Sequence, residues 1–197
     1  YKPDRERMQM AKDMFLLMLY MIGINTKDLY NLSRQDRKGR ETYFRAKTNR
    51  KYSIFIEPEA LEIISRYKGD KTLVNIAERY ANYRDWQKYV NLELKAICKN
   101  INAQLKKENS QVSFPSDVST NWARHTWATI ARNDCRINKD DVSLCLGHED
   151  TDNRVTDMYI RYDHSIVDES NRKVIDKVLG IVKDKTHSIG QDISVAS

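Results

Sequence analysis

Asn121-Trp122-Ala123-Arg124-His125-Thr126-Trp127-Ala128-Thr129 reads as a helix with two unlike faces. At helical spacing Ala123, Trp127 and Ile130 share a face suited to a core, while Asn121, Arg124 and Ala128 share another, left open by the small Ala128. An arginine held between two tryptophans on such a helix is either a satisfied structural ion or an anion clamp, because the guanidinium fork matches phosphate oxygens bidentately. The stretch alone favours the structural ion. Leu146-Gly147-His148 and Val155-Thr156-Asp157-Met158-Tyr159 downstream tip the balance the other way.

Around this helix the chain supplies 197 residues, 40% of them hydrophobic, enough for one sizeable core. No linker-like run divides it, so residues 1–183 read as one domain and 184–197 as a polar, mobile tail. Lys and Arg number 34 against 28 Asp and Glu, a net charge of +6 that suits a polyanionic partner without specifying one. Cys98, Cys135 and Cys145 are odd in number and scattered, which points to buried thiols in a reducing cytoplasm rather than a disulfide framework. No apolar run is long enough to span a bilayer and no signal peptide precedes Tyr1, so no membrane association is expected. The abrupt helical start reads as a piece of something longer.

In chain order, Met8, Ala11, Phe15, Met18, Leu19 and Ile22 predict an amphipathic helix over about 4–22, stopped by Gly23. Its methionines suit a partner surface, but at this spacing core packing is the better account. Asn25 or Thr26 caps a short helix to about Leu32. Lys38-Gly39 is a turn, followed by a β-hairpin with strands 42–47 and 52–56 around Thr48-Asn49-Arg50. Strand alternation then puts Tyr43, Arg45 and Lys47 on one face and Phe44 with Ala46 on the other. Pro58 opens a helix to about Tyr67, and a long helix runs from Asp85 to near Lys107. Residues 70–84 give no clear periodicity, and Tyr80, Tyr83 and Trp86 suit either core or a stacking surface, with core preferred. Ser119 or Thr120 caps the Arg124 helix. Asp140 caps a helix from Val142 to Leu146 that ends at Gly147, another helix carries Val155, Met158 and Tyr159, and a last one spans about 165–179 before Gly180. The fold class is therefore α+β, mainly α, with a small antiparallel hairpin or sheet.

Arg124-His125-Thr126-Trp127-Ala128-Thr129, Leu146-Gly147-His148 and the tyrosine closing Val155-Thr156-x-Met158-Tyr159 together resemble the catalytic domain of tyrosine recombinases, the integrases of phages and conjugative mobile elements. The hairpin carrying Lys47 and the first two helices fall in the family's order too, so the similarity covers almost the whole chain. It implies the family's fold and a metal- and ATP-independent, site-specific breakage and rejoining of DNA through a covalent 3′-phosphotyrosine, for integration or excision of a mobile element. No cofactor is implied. By resemblance Tyr159 is the nucleophile, Arg124 the second family arginine, His148 a phosphate donor or proton acceptor, and Lys47 the acid that protonates the leaving oxygen. Double-stranded attachment sites would be the partner, with a tetramer on DNA and a monomeric isolated fragment. The family's N-terminal DNA-binding domain is not in this sequence.

Two departures bear on the chemistry. The first family arginine stands three residues before the acidic position matched by Asp28, and here that position is Asn25; Ile22 does not supply it either. Losing one clamp would cost roughly 3 kcal/mol of transition-state stabilisation. Arg45, two residues from Lys47, either replaces it or only touches DNA backbone. Asn121 stands where the family often has histidine; an amide donates to a phosphate oxygen but shuttles no proton. Tyr162 is a rival nucleophile. A metal-dependent nuclease built on His148, Glu149, Asp150 and Asp152 crowds its carboxylates into one loop, and zinc on Cys145 and His148 has too few ligands. The alternative from another class is a catalytically impaired recombinase-like protein that binds DNA without cutting it.

Overall fold

The computed structural model describes residues 1–33, 39–147 and 163–181. These form α1 (Glu6–Tyr20), α2 (Thr26–Asn31), β1 (Arg40–Phe44), β2 (Lys51–Phe55), α3 (Pro58–Arg66), α4 (Ile76–Arg79), α5 (Tyr83–Lys107), α6 (Asn121–Thr129), a π-helical turn (Ile130–Asp134), α7 (Lys139–Cys145) and α8 (His164–Leu179). The chain is mainly helical with one two-stranded antiparallel sheet among the described residues, an α+β arrangement as the sequence predicts. None of the described helices is long and apolar enough to cross a membrane.

Helix α1 is the hub. The sequence predicts an amphipathic helix with one apolar stripe, but α1 packs against α3, α5 and α6 together, and Met8, Met10, Ala11, Met14, Leu17, Met18 and Leu19 are all buried. Helices on several sides leave little of its circumference to water. Its one buried acid, Asp13, is satisfied by Gln9, Arg66 and Tyr67 at 2.7–2.8 Å, as a carboxylate in a core requires. The helix stops at Ile22 and Gly23, both left-handed at φ 58° and 63°.

Several boundaries differ from the sequence reading. Strand β1 ends at Phe44, not at residue 47, because Thr48 and Asn49 turn their N–H groups back onto the Arg45 carbonyl and Asn49 takes a positive φ. Alternation therefore does not extend to Lys47, and Phe44 faces solvent at 62% exposure. Helix α7 begins at Lys139 because Asn138, rather than Asp140, caps it by accepting from the Asp141 N–H. Thr120 precedes α6 but makes no cap bond; its fully buried hydroxyl meets Thr26 and Gln87 instead. Residues 70–84, unreadable by periodicity, contain two isolated bridges and the one-turn α4, with Trp86 fully buried.

The last described helix closes the core. Val167, Val174 and Ile175 are fully buried, and Asn171 accepts from Trp127 Nε1 at 2.9 Å while donating to the Tyr20 carbonyl at 2.8 Å. Arg172 reaches across to Glu57 and Glu59 at 2.9 Å, and Arg40 of β1 pairs with Asp168. Residues 165–179, predicted to pack either on their own core or on a neighbouring protomer, pack on their own core. The polar tail predicted from 184 lies outside the described residues.

Candidate functional site

Helix α6 presents Ala123 and Trp127 to the core, both fully buried, as the two-faced pattern predicts. Trp122, the other tryptophan flanking Arg124, is 37% exposed. Arg124 is fixed from behind by Gly23: a Cβ on that glycine would lie 2.4 Å from the Arg124 Cα. Glycine at this position lets the end of α1 touch the α6 main chain, and the Arg124 guanidinium donates to the Gly23 carbonyl at 3.3 Å.

The other end of the guanidinium donates to the carbonyl of Leu146, the residue capping α7, at 2.5 Å. Arg45 arrives at the same oxygen from the hairpin: its Nη1 lies 2.6 Å from the Leu146 carbonyl and 3.0 Å from that of Gly147. Two cations thus share one acceptor. The negative end of the α7 dipole offsets part of their repulsion, and burial together with the neighbouring Arg45 lowers the Arg124 pKa without removing its charge.

Arg45 is aimed by its surroundings. Its guanidinium lies 5.9 Å from the Tyr52 ring centroid, and Tyr52 stands edge-on to Tyr43 at 5.7 Å. The Asp28 carboxylate accepts from the Ala46 N–H at 2.8 Å and so ties α2 to the hairpin just beyond Arg45. Burial, then Asp28, push the Tyr43 hydroxyl well above the usual phenol range, opposed by Arg45 and Arg124. Gly147 has φ 60°, and a Cβ there would come 3.0 Å from Arg45 Nη1 and 3.2 Å from the Tyr52 ring.

Of the residues predicted for the site, Arg45 and Arg124 converge, and Gly147 touches Arg45. Asn121 is exposed on the first turn of α6, one turn before Arg124. Lys47 sits in the exposed hairpin turn, off the strand face that alternation assigned it. His148, Tyr159 and Tyr162 lie outside the described residues, as do Glu149, Asp150 and Asp152. Asn25, at the family's first-arginine position, caps α2 by accepting from the Lys27 N–H. Cys145 is fully buried, its thiol pushed up to about 11 chiefly by desolvation, so it offers no ready thiolate to a metal.

Sequence reasoning put Tyr43 on the strand face of Arg45 but missed Tyr52 and the Asp28–Ala46 bond. Tyr52 carried a usable signal, since it stands on β2 opposite Tyr43, which shares the Arg45 face; the Asp28 bond carried none. What the geometry offers is a pair of forked cations between α6, the hairpin and the end of α7, an arrangement able to hold a tetrahedral oxyanion. No protein-family model matches this chain, and neither does any curated protein or any solved structure.

Proposed function

We propose that this chain is the catalytic domain of a tyrosine-type, site-specific DNA recombinase acting in the cytoplasm on attachment sites of a mobile element. One observation carries the reading: the guanidiniums of Arg45 and Arg124 meet at the Leu146 carbonyl, beside Gly147. A family site needs two arginines on the scissile phosphate; in this reading Arg124 is the second and Arg45 of the hairpin stands in for the first, whose position is taken by the α2-capping Asn25.

In the proposed reaction the Tyr159 oxygen attacks phosphorus, its phenolic proton passing to His148, and the P–O5′ bond breaks. The product is a 3′-phosphotyrosine and a 5′-hydroxyl that takes its proton from Lys47. A 5′-hydroxyl of another strand then attacks the ester, giving its proton to Lys47, while the Tyr159 oxygen leaves and takes its proton back from His148. The ester energy is kept, so no ATP is used. Arg45, Arg124 and His148 neutralise charge on the nonbridging oxygens, where it grows in the transition state. Asn121 adds a phosphate contact, and a tetramer on DNA pairs the two sites.

A pool of nicked duplexes with randomised sequence beside the nick tests this directly, because loss of a short product strand traps the covalent adduct. Wild type should retain DNA on a denaturing gel and Tyr159→Phe should not. DNA bound tightly by wild type with no adduct supports the second reading, a recombinase-like protein that binds without cutting. That reading draws on the same carbonyls, since Leu146 and Gly147 already occupy donors of both arginines.

A further inference from the structure

Between α2 and the hairpin lies a cavity of about 480 Å³ that the reaction above does not use. Asp28, Asn31, Tyr43, Phe44 and Lys51 are among the residues that line it. The volume falls within the range of small-molecule sites, and the lining is mixed rather than apolar. Phe44, on a short strand, lines this mixed cavity and is 62% exposed.

Main-chain geometry adds a second observation. Arg45 donates to Arg50 and Ile56 donates to Gly39, so odd-numbered positions on the β1 side exchange bonds with even-numbered positions on the β2 side. In antiparallel pairing the intervening Phe44 then turns its own N–H and C=O away from β2, toward the cavity side. One aromatic face, a main-chain donor and acceptor together, an amide, a carboxylate and an ammonium are the groups that recognise a nucleobase: stacking on the ring, hydrogen bonds at the base edge and a cation for the backbone.

The position fits as well. Ala46, which also lines the cavity, follows Arg45 in the chain and is bonded to Asp28. The cavity therefore adjoins the chain segment that carries Arg45. We infer that this cavity receives one unstacked DNA base adjoining the phosphate bound by the arginine pair, with Phe44 as its stacking platform. The inference rests on the DNA-rejoining reading for its substrate and extends it from phosphate to base.

The test is a binding comparison that needs no cutting. Two fluorescein-labelled duplexes of equal length are titrated with protein, one fully paired and one carrying a single unpaired thymidine, whose base is already unstacked. The bulged duplex should bind at least about tenfold tighter. Phe44→Ala, a change at the surface, should weaken binding to the bulged duplex about tenfold and so abolish that preference; Tyr159→Phe should keep it. Equal affinity of wild type for both duplexes, or a preference that survives Phe44→Ala, overturns the inference. Preference without a trapped adduct on nicked DNA sinks the recombinase reading and keeps the base site; an adduct without preference does the reverse. Binding to neither duplex counts against both.

Discussion

Arg45 of the hairpin and Arg124 of α6, far apart in sequence, share a single acceptor, the Leu146 carbonyl, at 2.6 and 2.5 Å. If that pairing marks a phosphate clamp, Arg45→Ala removes one of two charges aimed at the transition state. The rate of covalent adduct formation should fall about a hundred- to a thousandfold, with DNA affinity changed far less. Arg45→Lys keeps the charge but loses the fork and should recover only part of the rate. Single-turnover kinetics on a nicked duplex measures both, and an adduct rate near wild type for Arg45→Ala would leave Arg45 as a structural residue.

Two glycines with similar φ should respond very differently to alanine. Gly180 ends α8 at φ 68° with nothing within 4 Å of an added Cβ, so Gly180→Ala costs only the left-handed penalty, about 1–2 kcal/mol. Gly23→Ala adds a methyl 2.4 Å from the Arg124 Cα, a main-chain collision that no rotamer relieves. Urea unfolding should show a modest midpoint shift for the first and loss of a cooperative transition, or a far larger shift, for the second.

Asn171 is 1% exposed and joins three helices by one accepted and one donated bond. Asn171→Leu leaves the Trp127 indole N–H and the Tyr20 carbonyl buried without this partner, at about 1–3 kcal/mol each. Thermal unfolding should drop by roughly 2–4 °C for every kcal/mol lost. An unchanged melting temperature would mean that α8 is not held to α1 and α6 by this residue.

Arg172 bonds Glu57, whose carboxylate is buried and whose pKa burial raises despite the guanidinium. Removing the cation in Arg172→Met strands that acid, with an expected loss of about 3–5 kcal/mol. Adding Glu57→Gln should restore part of it. A double-mutant cycle by denaturant unfolding reads the coupling; purely additive losses would show that the pair contributes nothing.

Stability should fall on the alkaline side. Burial holds the Cys145 proton up to about 11 against 9.0 in the open chain, so between those values the native state binds more protons than the unfolded one. Folding free energy is then lost as pH rises through that window, on the order of 2 kcal/mol from this group. Tyr89, raised by burial to about 12 from 10.0, acts in the same sense at higher pH. Denaturation midpoints of wild type should decline from pH 9 to 11 more steeply than those of Cys145→Ala.

Where a signal was local and periodic, the sequence carried it: the core face of Ala123 and Trp127, the glycine stops at 23, 147 and 180, and the long helix through Leu94 and Ile97 all appear in the structure. Signals that depend on tertiary context were illegible. The hairpin turn at Ala46–Asn49 is set partly by Asp28 from another element, so counting strand alternation through Lys47 failed. Periodicity alone could not tell that α1 would be covered on several sides, since Phe15 and Met18 fit a stripe or a hub equally well. The meeting of Arg45 with Arg124 was foreseeable only as an option, because no local pattern states where a loop arginine lands.

The contact between Gly23 and the Arg124 main chain has one more implication. A side chain aimed by neighbouring side chains can drift when those neighbours repack, but Arg124 stands on two backbones in direct touch, with no cushion between them. Its tolerance for misalignment is that of the helix axes themselves. Conservative changes elsewhere in the interior should therefore leave this guanidinium where it is until α1 and α6 separate, so heat would erase its placement and the tertiary structure in one step.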